Sequence, residues 1–304
     1  MTIAILMSTY NGDKFLTKQL ESIISQTIFD WKLYIHDDGS IDDTVSIIQN
    51  YVKKDERINF FEGSSGLGPS KAFLSLIAKV ESQYYVLCDQ DDIWRSNKLE
   101  ILQREIVNCT FDGPILIYSS VRTISANGHN ISDRMEKKIG GIKKPLDRFL
   151  WNDAPGCTMI FNKELKMRLK NEDEQQIIMH DWWLIIIAET FGKVKFIHQQ
   201  LTCYRLHSGN SVGTSGNIIN RMSRGKLIQR INTRISRQMT QAEFFLRLFS
   251  EESIPQNIDR FLNELLDLRT MSVFDRIKFL LVYKPQRGNL LDTASFVLWV
   301  LLAK

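Results

Sequence analysis

The strongest constraint on this chain is an alternation that runs through its first hundred residues. Short apolar runs suited to buried strands are separated by segments whose apolar residues recur at helical spacing. Ile3-Ala4-Ile5-Leu6-Met7 stops at Ser8-Thr9-Tyr10-Asn11-Gly12, and Leu16, Leu20, Ile23 and Ile24 then mark one helix face. Trp31 to His36 runs into Asp37-Asp38-Gly39-Ser40, followed by the stripe Val45, Ile48 and Val52, with Ser40 and Asp43 resembling a capping box for that helix. Ile58 to Phe61, a helical Lys71 to Val80, and Tyr84 to Cys88 repeat the pattern, the last strand ending at Asp89. This β-α-β order predicts an α/β, Rossmann-like fold with a mainly parallel, doubly wound sheet and a ligand site at the carboxyl ends of its strands. The conspicuous polar motifs all fall at those ends.

From Ile115 the pattern changes. Ile115 to Ser125 alternates as a strand, and Ala126-Asn127-Gly128-His129 is a hairpin-type turn, so an antiparallel portion is expected. Cys157 to Phe161 reads as a strand, Asp181 to Phe191 as a strongly apolar helix, and Val194 to Tyr204 as another strand. Beyond Gly216 the chain reads as wholly helical, which divides it into an α/β domain over 1–215, with halves 1–112 and 113–215, and a helical extension over 216–304. Hydrophobic residues at 43% and charged residues at 24% of 304 belong to a folded protein and argue against disorder or a polytopic membrane protein. Cys88, Cys109, Cys157 and Cys203 have no Cys-x-x-Cys spacing, so neither a disulfide framework nor a cysteine zinc site is indicated. With no basic segment ahead of the first apolar run, a reducing, cytoplasmic setting is the expectation.

Charge is unevenly spread. Between Thr190 and Ala242 there are nine Lys or Arg and no Asp or Glu, whereas the carboxylates cluster in the first third. Asp89-Gln90-Asp91-Asp92 follows the apolar Val86-Leu87-Cys88, which puts several carboxylates on a sharp turn at a sheet edge. Carboxylates that close repel one another, and a hard divalent cation, Mg2+ or Mn2+, neutralises them, with a nucleotide diphosphate supplying further oxygens. The competing reading is an acidic turn in which Asp92 caps a helix toward Leu102. Asp37-Asp38 likewise either accepts hydrogen bonds from a base or ribose or caps a helix with Ser40. The loop Ser8 to Gly12 lacks both G-x-G-x-x-G and the Walker lysine pattern, which argues against a Rossmann dehydrogenase and a P-loop NTPase.

Taken together in order, Ile5-Leu6-Met7-Ser8-Thr9-Tyr10-Asn11-Gly12, His36-Asp37-Asp38-Gly39-Ser40 with Asp42-Asp43-Thr44, and Asp89-Gln90-Asp91-Asp92-Ile93-Trp94 resemble the family-2 glycosyltransferases with a GT-A fold. The resemblance spans about residues 1–210 and makes 1–112 the nucleotide-sugar half and 113–215 the acceptor half. It implies that Thr9 and Tyr10 line the base, that Asp38 contacts the base and Asp89 the ribose, and that Asp91 holds the metal on the diphosphate. Lys71, after Gly66-Leu67-Gly68-Pro69-Ser70, sits where the family brings a Gly-containing loop to the nucleotide; a surface lysine is the alternative. Asp92 is an extra candidate without a role.

Inverting transfer needs a carboxylate to deprotonate the acceptor hydroxyl. Asp181 in His180-Asp181-Trp182-Trp183 is the candidate base, against the alternative of a helix N-cap; Trp182 and Trp183 suit a sugar-stacking wall, and His180 stands where the family has Glu. In Tyr204-Arg205-Leu206-His207, His207 is the candidate second metal ligand and Arg205 a phosphate-facing cation. Gly156-Cys157-Thr158 resembles the acceptor-side loop. The motif set most resembles bacterial rhamnosyltransferases of cell-surface polysaccharide synthesis, which implies dTDP-rhamnose as donor, UDP-glucose or UDP-galactose as alternatives, and a lipid-linked saccharide acceptor.

Arg221, Arg224, Arg230, Arg234 and Arg237 fall opposite Ile228, Ile231, Ile235 and Met239, a basic amphipathic helix suited to an anionic membrane surface or to domain packing. The apolar run from Leu290 to Ala303 is too short to span a bilayer and suits a peripheral membrane contact or a homodimer. A nucleotidyltransferase would need a Gly-rich basic phosphate loop, which Ser8 to Gly12 is not. Nucleic-acid binding would leave the strand-end carboxylates without a use, so no nucleic acid is expected as partner.

Overall fold

The computed structural model describes residues 2–61, 63–131, 136, 138–170, 174–210, 224–286 and 290–302. The expected boundary at 215/216 and Arg221 lie outside them, as do the side chains of Arg224 and Ile228.

Among the described residues the strands β1 (Ile3–Thr9), β2 (Trp31–Asp37), β3 (Ile58–Phe61), β4 (Tyr84–Asp89), β5 (Ile93–Trp94), β6 (Ile115–Ser125), β7 (Met159–Asn162) and β8 (Lys193–Leu206) form one sheet in the order β3-β2-β1-β4-β7-β6-β8-β5. The first four are parallel, and their register aligns Thr9 with Asp37 and Ser8 with Asp89. The three polar motifs are therefore brought to one edge by strand pairing alone. β7 runs antiparallel to β4 and β6, while β6 and β8 pair in parallel with an irregularity at Ser119–Val121. The mainly parallel α/β sheet with an antiparallel portion is as expected.

Helices α1 (Asp13–Ile24), α2 (Thr44–Val52), α3 (Gly68–Lys79) and α4 (Lys98–Val107) connect the early strands. They bury residues such as Leu16, Leu20, Ile48 and Leu102 against Ile3, Ile5, Leu33 and Val86. A short α5 (Lys163–Met167) precedes α6 (His180–Phe191). From Trp182 to Ala188 α6 is apolar around its whole circumference, and Trp183 through Ile187 are at most 1% exposed. The expected capping box does not form: α2 starts at Thr44, and Ser40 instead donates its hydroxyl to Asp37. Asp92 caps no helix either, because β5 intervenes before α4 begins at Lys98.

The chain divides into two compact units. Residues 1–140, 154–174 and 179–207 form the first, which contains the whole sheet. Residues 141–153, 175–178 and 208–304 form the second. It contains α7 (Arg224–Leu248), α8 (Gln256–Asp267), α9 (Val273–Tyr283) and α10 (Leu290–Leu302). Its core is aromatic: Phe149 meets Phe245 edge-on at 5.4 Å, Phe261 stacks on Phe279 at 5.8 Å, and Phe296 meets Trp151 at 5.6 Å. Arg148 and Asp153 form a buried ion pair at 2.5 Å there. Among the described residues no helix is long and apolar enough to cross a membrane.

Candidate active site

At the carboxyl edge of β1, β2 and β4 the loops are tied to one another by side chains. Asp37 accepts from Thr9 Oγ1 at 2.8 Å, from Ser40 N at 2.8 Å and from Ser40 Oγ at 2.6 Å. Thr9 is thereby buried at the base of its loop, whereas Tyr10 next to it is 57% exposed. Gln90 clamps that loop to the Asp89–Asp92 turn from both sides, accepting from Tyr10 N and donating to Tyr10 O, each at 2.9 Å. Asn11 adopts a left-handed φ of 46°, and its side chain accepts from Ile41 N at 2.9 Å.

The two oxygens of Asp38 accept from Leu67 N at 2.7 Å and Gly68 N at 2.8 Å. This buried carboxylate thus fixes the glycine-containing loop at the start of α3, where Gly66 and Gly68 both have positive φ. Lys71 lies in the first turn of α3, half-buried, and its side chain makes no hydrogen bond or ion pair among the described residues.

The carboxylates after β4 divide by burial. Asp91 meets His207, with Nε2 2.7 Å from Oδ2, and the His207 ring leans on Phe15 at 4.7 Å. Two residues 116 positions apart, both singled out from sequence as cation ligands, are thus in contact. Asp92 is fully buried and accepts from the backbone N of Arg205 at 3.0 Å. Burial, followed by the charges of Asp91 and Asp89, pushes its carboxyl far up. Asp89 is pushed up to about 7 by burial and then by repulsion from Asp91 and Asp181. That repulsion shows that these three carboxylates share one region.

Beneath them the Cys157 thiol faces Asp89 and Asp92, the three ligand atoms lying within 4.8 Å of one another. Lys98, which the sequence reading missed, lies under this cluster. It is fully buried, donates to Cys157 O at 2.5 Å and Thr202 Oγ1 at 2.9 Å, and stands 3.9 Å from the Trp94 ring centroid. Desolvation lowers its ammonium to about 8. Lys98 thus supplies a positive charge beneath the Asp89, Asp92 and Cys157 group, whose ligand atoms lie close enough together to hold a metal ion.

Arg205 differs from the expectation of a phosphate-facing cation. It is 1% exposed, and its guanidinium donates to Asp91 O at 2.7 Å, Ala126 O at 2.9 Å and Ser125 O at 3.3 Å, so it braces the acidic turn from below. Asp181, in the first turn of α6, is half-buried and accepts from Gly156 N at 3.1 Å. A Cβ at Gly156 would lie 3.0 Å from His180 Nε2, so glycine permits this approach. His180 is buried and stacked on Phe73 at 4.3 Å, and burial lowers its imidazole to about 3. Neither ring nitrogen has a partner among the described residues. His180 is therefore a neutral neighbour of Asp181 and carries no charge at ordinary pH.

The expected sugar-stacking wall is corrected in part. Trp183 is fully buried because α6 has no solvent face at that position, while Trp182 keeps 9% exposure. Cys157 and Thr158 are fully buried as well, and the expected acceptor-side loop meets Asp181 through the Gly156 backbone.

A Rossmann-like sheet with carboxylates gathered at one parallel edge is the architecture of a nucleotide-sugar-dependent transferase of the GT-A type. The fold comparison agrees: TarS from S. aureus in complex with UDP-GlcNAc superposes with a TM-score of 0.57 at 16% identity, covering 99% of this chain and 91% of that one. Residues 4–169 match the family described as Glycosyl transferase family 2, and the chain belongs to that family. Among curated relatives, the dTDP-rhamnosyl transferase RfbG of Shigella flexneri is 31% identical over 225 residues, 69% of this chain and 74% of RfbG. The UDP-Glc:alpha-D-GlcNAc-diphosphoundecaprenol beta-1,3-glucosyltransferase WfgD of Escherichia coli is 28% identical over 164 residues, 54% of this chain and 61% of WfgD. The protein is a glycosyltransferase.

Proposed function

We propose that this glycosyltransferase moves rhamnose from dTDP-rhamnose, with inversion, onto a lipid-linked oligosaccharide during bacterial surface-polysaccharide synthesis. The similarity to a dTDP-rhamnosyl transferase supports the donor, and the name of the glucosyltransferase relative supports both a diphosphoundecaprenol-linked acceptor and UDP-glucose as the second donor reading. The observation that carries the site assignment is the contact of Asp91 with His207 beside Asp89 and Asp181, whose charges raise Asp89.

Asp91 and His207 fit Mg2+ or Mn2+. They bring one carboxylate oxygen and one imidazole nitrogen, both ordinary ligands of these ions, to within 2.7 Å of each other, and the neighbouring carboxylates repel one another in the absence of a cation. When bound, the ion neutralises the charge that develops on the leaving diphosphate. Tyr10 offers an exposed ring to the base. Asp38 acts on the nucleotide through the loop that it fixes, Lys71 opens that loop's helix with an uncompensated charge, and Asp89 reaches the ribose. Arg205 holds the Asp91 turn at the correct height. Asp181, held by the Gly156 N–H, takes the proton from the acceptor hydroxyl as that oxygen attacks the anomeric carbon on the face opposite the diphosphate. Attack from that face inverts the centre.

The test is a donor panel: dTDP-rhamnose, UDP-glucose and UDP-galactose, each with Mn2+ and a short prenyl-diphosphate saccharide, with release of nucleoside diphosphate measured. Release confined to dTDP-rhamnose supports the reading. Release confined to a UDP-hexose would replace rhamnose with that sugar.

A further inference from the structure

Half of the large apolar side chains that stand exposed among the described residues lie on α9 and α10 of the helical unit. On α9, Arg276 and Phe279 are buried, while Val273, Phe274, Ile277 and Leu281 are 58, 77, 43 and 65% exposed. At 100° per residue these four fall within one arc of about 100°, on the side opposite Phe279. Val282, 54% exposed, widens the arc. α10 packs beside α9 and adds Leu298 and Leu302, 55 and 67% exposed. A helix of a water-facing unit normally turns polar residues outward, and a contiguous apolar face of this kind marks a surface that is covered in use.

The charges on α9 indicate what covers it. Lys278 is exposed between Phe274 and Val282 on the helix wheel, and Lys284 is exposed just past its end. Neither ammonium meets a carboxylate among the described residues, and the single carboxylate on α9, Asp275, is held at the N-terminus by the Ser272 hydroxyl at 2.6 Å. A second copy of the chain docked on this face would bring like charges together in a desolvated contact. An anionic leaflet answers both features, since it accepts the apolar ridge and pairs its phosphates with the lysines.

We propose that α9 is the membrane-contacting surface of this protein, with Val273, Phe274, Ile277 and Leu281 seated at the head-group and acyl boundary of an anionic leaflet. The inference deepens the reading of a lipid-linked acceptor. It also centres the contact on α9, a helix that sequence alone did not single out, with α10 adding only Leu298 and Leu302 and α7 turned largely inward. α7 buries Ile235, Met239 and Ala242 and pairs Arg234 with Asp292 at 3.1 Å, and α10 buries Phe296, Trp299 and Val300.

The experiment is co-sedimentation of the full chain with vesicles of phosphatidylglycerol and phosphatidylethanolamine, beside vesicles of phosphatidylcholine alone. The wild type pellets with the anionic vesicles, F274E/L281E loses at least about tenfold in partition coefficient, and K278Q/K284Q loses the anionic preference. Circular dichroism and turnover with a water-soluble acceptor check that F274E/L281E is folded. Equal pelleting of wild type and F274E/L281E overturns the proposal. So does a wild type that binds neither vesicle but sediments as a dimer that F274E/L281E dissociates. Failure of every donor in the panel would instead remove the transfer reading, while the vesicle result would still decide the surface.

Discussion

Replacing Gly12 with alanine tests the clamp between the first loop and the acidic turn. Gly12 has φ −106° and ψ 9°, which alanine adopts without strain, so the effect comes from space alone. The added Cβ would lie 2.6 Å from Cδ of Gln90 and closer still to its Oε1, and a real Cβ does not approach that near. Gln90 is a flexible side chain and swings aside, which breaks both of its bonds to Tyr10. Each such bond contributes about 1 kcal/mol net, less where water competes, so about 1–2 kcal/mol is lost. The urea midpoint should therefore drop by the equivalent of about 1–2 kcal/mol, and donor affinity should fall by up to about 5- to 30-fold as the nucleotide re-orders the freed loop. Calorimetric titration with nucleoside diphosphate and Mn2+ measures it. Gln90→Ala should weaken binding to a similar degree, and the double variant should be no worse than either single one, because both remove the same pair of bonds. Additive losses, or wild-type affinity in Gly12→Ala, would refute the clamp.

Asp91→Asn should abolish metal-dependent nucleotide binding, seen as loss of the Mn2+ effect in the same titration. Asp181→Asn should lower turnover by about two to four orders of magnitude and leave nucleotide affinity nearly intact; near-wild-type turnover would make Asp181 a helix cap. Because Asp89 rises to about 7, the folded chain holds a proton that the unfolded chain releases near 4, so its contribution to stability in metal-free buffer falls as pH climbs between those values. Thermal unfolding should show a smaller loss from pH 5 to pH 8 in Asp89→Asn than in the wild type, and Mn2+ should raise the midpoint more at pH 8 than at pH 5.

Strand ends were legible because in a parallel sheet the end of an apolar run and the edge of the sheet are the same place. Asp91 and His207 could be paired from sequence through the family resemblance, although nothing local connects residues so far apart. The acceptor side was harder to read. The adjacent tryptophans suggested an open wall, yet Trp183 is followed by Leu184-Ile185-Ile186-Ile187, a run apolar at every angle of the helix, and that signal correctly implies burial on all sides. Lys98 follows Trp94-Arg95-Ser96-Asn97 and looks like any first-turn lysine. Its burial depends on Thr202 of β8, which sequence places more than a hundred residues away. Ser40 resembled a cap because the competing acceptor, Asp37, stands three residues before it and closes the turn first.

The site is built in two layers, and the division explains why so many charged residues in one motif can have different tasks. Asp37, Asp38, Asp92, Arg205 and Lys98 direct their polar atoms largely at backbone or at one another, and each fixes the height or direction of a loop. Tyr10, Asp91, His207 and Asp181 stand above them with surface left for other groups. A carboxylate held by two backbone N–H groups is already satisfied and gains little from a cation, whereas one set beside an imidazole and like charges gains more. Among the acidic residues of the strand ends, the same chemistry therefore puts Asp38 in support and favours Asp91 as the proposed cation ligand.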